Sequence, residues 1–123
     1  GIEQFMKDDA ESDSIYDDYN QGDVVVVDFP ATSGQPGKTR PSLVVFDAGD
    51  ADLIFAKLTT AARRSTYDVQ LSDWAAAGLR AHIVRADKLI MLEKSLVKRT
   101  MGRLSPGDYQ AVGTALKSMF ATW

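Results

Sequence analysis

The chain has 123 residues, 45% of them apolar and 25% charged, which is ordinary composition for one globular domain. It has no cysteine, which excludes a disulfide-stapled fold, a thiolate metal site and a cysteine nucleophile and fits a reducing cytosol. No apolar run approaches the roughly 18 residues of a membrane span, no signal-peptide pattern is visible, and a net charge of −3 argues at first against a nucleic-acid partner.

The charge is unevenly placed. Residues 1–20 hold seven acids against Lys7 alone, a local −6, so residues 21–123 hold ten acids against thirteen bases, a local +3. With few apolar residues and no period, residues 1–20 are expected to form a disordered acidic tail. Gly1–Phe5 read as added residues, with Met6 the expected natural start. One domain is expected over 21–123, with structure beginning near Gly22.

Val24–Val27 with Phe29 is a continuous apolar run, the pattern of a strand buried on both faces and ended by Pro30. Residues 31–40 read as a loop. Leu43–Phe46 and Leu53–Leu58 are the next strands, with a turn at Asp47–Asp50. Thr59–Thr66 is polar and reads as a mobile loop. Tyr67–Leu71 alternates as a half-buried strand does. Ser72–Gly78 predicts one helical turn stopped by glycine. His82–Arg85 and Leu89–Leu92 follow as two short strands, and Leu96–Thr100 as a third.

At the end the period changes. Ser105 is a helix N-cap, Pro106 fits the first helical position, and Asp108 is a carboxylate three residues after the cap. Tyr109, Val112, Leu116, Met119 and Phe120 then fall on one helical face. The expected fold is mainly β with a C-terminal helix, a small bent sheet or barrel.

The usual catalytic and cofactor spacings are absent, and no cofactor or metal is called for. There is no GxGxxG, Walker loop or HExxH, and the single histidine, His82, excludes a histidine pair within one chain. His82 reads as structural or merely exposed, and Phe46 and Trp74 as core rather than as base-stacking platforms. Three clusters bear chemistry. The loop ending Pro36-Gly37-Lys38-Thr39-Arg40-Pro41 is either a solvated hairpin or a rigid mount for a guanidinium facing phosphate. Thr59 and Thr60 place paired hydroxyls at a strand end. Arg85 and Asp87, two apart, are expected on one face, either as a surface ion pair or as a carboxylate base beside a cation.

In order, Gly22-Asp23-Val24-Val25-Val26-Val27-Asp28-Phe29-Pro30, Lys38-Thr39-Arg40-Pro41-Ser42-Leu43-Val44-Val45, Ala56-Lys57-Leu58-Thr59-Thr60, Val84-Arg85-Ala86-Asp87-Lys88 and Gly102-Arg103-Leu104-Ser105-Pro106 resemble the MazF/PemK/Kid toxins of bacterial toxin–antitoxin pairs. The likeness spans about residues 21–120. It implies an SH3-like barrel of the PemK/CcdB type, usually a homodimer. It also implies a cytoplasmic endoribonuclease toxin, an mRNA interferase that cuts single-stranded RNA at short sequences without a metal. A cognate antitoxin would lay an acidic segment over the RNA groove.

Arg40 matches the family's arginine before proline and Thr59 its threonine at the strand end. Arg85 and Asp87 match an arginine–aspartate pair of Kid-like members. The first-loop histidine of some members is missing, because Gly34-Gln35 stands there. The expected mechanism is attack by the substrate's 2′-hydroxyl. Asp87 takes the proton, Arg40 and Arg85 stabilise the phosphorane, and Thr59 bonds a phosphate oxygen. Lys38, Thr60, Arg63 and Arg64 are the expected RNA-binding residues. Competing readings are a CcdB-like poison of DNA gyrase and a non-catalytic RNA-binding barrel. The acidic tail is read as solvated, with self-shielding of the groove as its alternative.

Overall fold

Val24, Val25 and Val27 are buried to the last few square ångströms because their strand lies inside the sheet, hydrogen-bonded on both sides. The computed structural model describes residues 15–123. Among the described residues six strands are present: β1 Asp23–Phe29, β2 Lys38–Phe46, β3 Asp52–Thr59, β4 Asp68–Gln70, β5 Ile83–Glu93 and β6 Val97–Arg103. Their order in one antiparallel sheet is β4-β5-β3-β2-β1-β6. Short 3-10 turns occupy Ala75–Ala77 and Lys94–Leu96, and helix α1 spans Pro106–Met119. The sheet is bent like a barrel but not closed, since β4 and β6 are its two edges.

The bend gives each face its own core. Val24, Leu43, Ala56, Val84 and Leu104 meet Val112 of α1 and the Leu71–Leu79 segment on one side. Val25, Val27, Val44, Leu53 and Phe55 form the other core. A continuous apolar run in β1 is what such a sheet requires, because successive residues feed opposite cores.

Helix α1 starts as its sequence dictates. Ser105 caps it by accepting the Asp108 amide at 3.2 Å, and Pro106 occupies the first turn. The Asp108 carboxylate also reaches beyond the cap. It accepts the Ser72 amide, the Ser72 hydroxyl and the Asp73 amide, each at 2.9 Å, and so ties the helix to the segment after β4.

Three expectations change. Lys38, Thr39 and Arg40 are strand rather than loop, because they pair with Phe29, Asp28 and Val27. The hairpin loop before them is closed by reciprocal Thr32–Gln35 amide bonds of 3.0 and 2.9 Å. The two strands expected over 82–92 are one strand, β5, interrupted by an irregularity. Finally, Ile15–Asn20 are not free of the domain. Tyr19 packs on the second core, its amide donates to Asp47 at 3.0 Å, and Lys94 Nζ donates to the Asp17 carbonyl at 2.7 Å. The rest of the expected tail, with Gly1–Phe5 and Met6, lies outside the described residues.

Candidate active site

A fork between two neighbouring strands builds the site. β2 and β3 pair from Phe46–Ile54 down to Ser42–Lys57, and there the ladder stops. Continued in register, it would set Pro41 against Leu58 and Arg40 against Thr59. Instead β2 keeps pairing only with β1, and β3 only with β5. A proline carries no N–H for a sheet ladder, so Pro41 suits the point where β2 leaves its neighbour.

The fork opens a groove of about 460 Å³. One wall is β2 with Lys38, Arg40 and Pro41. Lys57 of β3 lies beneath, and the opposite wall is Asp87, Lys88, Leu89 and Ile90 of β5. That second wall exists because β5 bulges: Lys57 pairs with Arg85, but Ala56 pairs with Leu89, which leaves Ala86, Asp87 and Lys88 between. Four cations and one carboxylate therefore share the groove. Asp87 is partly exposed, with Lys88 Nζ 3.6 Å away. Arg40 is exposed on a strand braced by the Thr39 hydroxyl, which donates to Asp28 at 2.8 Å.

Thr59, the last residue of β3, pairs with Ile83 and is not among the residues that line the groove. Its Oγ1 accepts the Ala61 amide at 3.1 Å, which starts the loop to β4. Thr60, Arg63 and Arg64 are exposed on that loop. Lys57 and Lys88 join the groove beyond the residues that the sequence marks for RNA binding. Lys57 is exposed in β3 although Phe55 and Ala56 before it are both buried, so strict alternation does not reveal it.

Arg85 is not beside Asp87. The bulge breaks the period-2 relation between them, and Arg85 turns inward, 6% exposed, onto the buried carboxylate of Asp68. Its other Nη donates to the Ala62 carbonyl at 3.4 Å. Asp68 also accepts the Arg64 and Ser65 amides at 2.7 and 3.4 Å. Burial alone would raise its pKa, but the Arg64 amide and the Arg85 guanidinium hold the carboxyl below its ordinary range.

The two aromatic expectations divide. Trp74 packs at the first core and stacks on His82, with ring centroids 4.6 Å apart, so both are structural there. Phe46 is 48% exposed rather than buried, because the β2–β3 irregularity between Val44 and Phe46 turns it outward opposite Ile54. Among the described residues no cluster of His, Cys, Asp or Glu is arranged to hold a metal, and no helix is long and apolar enough to cross a membrane.

Fold and groove together define a small, mostly β protein with one C-terminal helix and a cationic cleft around a single carboxylate. Residues 20–120 match the model of the PemK-like, MazF-like toxins of type II toxin–antitoxin systems, and the chain belongs to that family. The sequence matches no curated protein. Among solved structures it is similar to an endoribonuclease in complex with its cognate antitoxin from a Mycobacterial species (22% identity, TM-score 0.70, 86% of this chain and 98% of that one). It is likewise similar to the MazE–MazF complex of Deinococcus radiodurans (23% identity, TM-score 0.69, 86% and 100%).

Proposed function

We propose that this toxin is an endoribonuclease that cuts single-stranded RNA, mRNA included, by attack of the substrate's own 2′-hydroxyl, without a metal. The observation that carries the reading is the fork, which gathers Arg40, Lys38, Lys57 and Lys88 around Asp87 in one open groove. Single-stranded RNA needs a cationic track for its phosphates. Asp87 takes the 2′ proton, and Arg40 stabilises the dianionic phosphorane. Arginine stays protonated at any ordinary pH, so its part is electrostatic. Thr59, one residue beyond Leu58 of the groove, bonds a phosphate oxygen. As the P–O2′ bond forms the P–O5′ bond breaks, a solvent water protonates the departing oxygen, and the products are a 2′,3′-cyclic phosphate and a 5′-hydroxyl.

The reading extends to partners. The toxin acts in the cytoplasm, where mRNA is. A cognate antitoxin with an acidic segment covers the groove, as the cationic lining invites. The working form is a homodimer. β4 pairs with β5 only at Ile83–Arg85, so the rest of β5 is an open sheet edge that exposes Leu89, Ile90 and Met91, with Phe46 on the same side. An apolar edge of this kind needs a cover. Light scattering should give twice the chain mass, and Met91→Lys should shift it toward one chain.

The deciding experiment incubates the purified toxin with a single-stranded oligoribonucleotide in EDTA. Cleavage with 5′-hydroxyl and cyclic-phosphate ends is expected. Intact RNA together with inhibition of DNA gyrase would replace this reading with the poison.

A further inference from the structure

The groove leaves unexplained why an arginine and an aspartate are buried together away from it. Removing two charges from water is costly, and well-packed apolar residues in place of a buried ion pair are often as stable or more so. The loop beside the Asp68–Arg85 pair supplies a reason.

Residues 60–67 connect β3 to β4 and carry Arg63 and Arg64 exposed. No ladder holds this stretch. Its first half is fixed by side chains instead: Thr59 Oγ1 accepts the Ala61 amide, Arg85 donates to the Ala62 carbonyl, and Asp68 accepts the Arg64 and Ser65 amides. Its second half is held by Ser65, whose carbonyl and hydroxyl accept the Asp68 and Tyr67 amides, and by the Ala86 amide, which donates to the Tyr67 carbonyl. The contacts at Ala62, Arg64 and Ser65 belong to the buried pair. The loop springs from Thr59, two residues beyond Lys57 of the groove.

We propose that the Asp68–Arg85 pair is a positioning device for RNA binding, which holds the loop in the shape that presents Arg63 and Arg64 to the phosphates of a strand leaving the groove. This rests on the ribonuclease reading. In it Arg85 is a positioning residue and not a phosphorane-stabilising one. Ordering the loop backbone in advance removes that entropy cost from binding. The depressed pKa of Asp68 agrees, because the carboxylate must stay charged to hold two amides and a guanidinium.

The test measures affinity for a single-stranded oligoribonucleotide in EDTA as a function of salt. In single strands each phosphate contact contributes about 0.7 to the slope of log affinity on log salt, so losing both arginines should flatten it by about 1.4. Arg63→Ala with Arg64→Ala should show this loss on an intact fold. Asp68→Asn should flatten the slope similarly, with less than about a threefold change in cleavage rate at saturating RNA. In the Arg63→Ala, Arg64→Ala background, Arg85→Gln should weaken binding no further, because its effect passes through those side chains.

Should the single charge removals unfold the chain, Asp68→Val with Arg85→Met removes both charges together. It should speed hydrogen exchange at the Arg64 and Ser65 amides and flatten the slope. An Arg85→Gln effect that persists at full size in the double-alanine background, or an Asp68→Asn slope equal to that of the unaltered toxin, would overturn the proposal. Absence of RNA binding by the unaltered toxin would instead overturn the ribonuclease reading, while the exchange experiment still reports on the loop.

Discussion

Asp108 holds Ser72 by two bonds, accepting its amide and its hydroxyl at 2.9 Å across 36 residues of chain. Burial alone would raise the pKa of this carboxyl, but the amides of Ser72 and Asp73 keep it below the ordinary value of 3.8. The contact is thus a stability determinant that depends on pH.

A carboxyl whose pKa is lower folded than unfolded leaves more protons on the unfolded chain. Its stabilisation is complete above the ordinary carboxylate pKa and disappears as pH falls through the depressed folded value. Asp47 and Asp68 share the sign. Urea unfolding should therefore show a plateau at neutral pH and a steep loss below about pH 4. Asp108→Asn should lower the plateau by about 1–3 kcal/mol, the range for a buried hydrogen-bonding group deprived of its partners, and should make the acid loss shallower.

Arg40→Ala should leave unfolding unchanged, because the side chain is exposed, and should lower RNA cleavage by about 100-fold or more, as expected on removing an electrostatic stabiliser of the transition state. Asp87→Asn should abolish the acidic limb of the pH–rate profile. A retained limb would remove Asp87 from the base role. Both measurements need only single-turnover cleavage of a labelled oligonucleotide.

Two glycines should respond with opposite signs. A Cβ on Gly102 would sit 2.8 Å from the Ala77 carbonyl oxygen, where β6 passes under the 3-10 turn, so Gly102→Ala should cost about 1–3 kcal/mol. Nothing lies within 4 Å of a Cβ on Gly113 in α1, and Gly113→Ala should stabilise by about 0.5–1 kcal/mol. Thermal melts of the two variants should move in opposite directions.

Lys94 is buried, 3.0 Å from Asp47, and lies over the Tyr16 and Tyr19 rings at 5.7 and 5.9 Å. Lys94→Met leaves the Asp47 charge buried without its cation, which should cost about 3–5 kcal/mol. Proteolysis within residues 15–20 should accelerate in the same variant, because the Asp17 carbonyl loses its donor.

The parts of the fold set by local chemistry were legible in the residues. Val24–Val27 announced a doubly buried strand, and Ser105-Pro106 marked the start of α1 within a residue. Arg40, Lys38 and Asp87 do share one groove. What escaped depends on tertiary pairing. Lys38–Arg40 look like loop because they are polar, yet β1 recruits them into strand. Alternation placed Arg85 beside Asp87, and a bulge that leaves no composition mark sends one inward and the other to the groove. Asp68 drew no notice, since nothing in a polar run of sequence distinguishes a carboxylate destined for burial. Ile15–Asn20 read as tail because the cation that anchors their end, Lys94, lies 77 positions from Asp17.

Pro41 has a consequence for recognition. β2 has no amide hydrogen at that residue with which to zip back onto β3, so closing the fork would gain no amide donor at its first step. Closure is thereby disfavoured by covalent chemistry at one residue. An incoming strand should meet a cleft that is already open, and association should proceed without a slow opening phase.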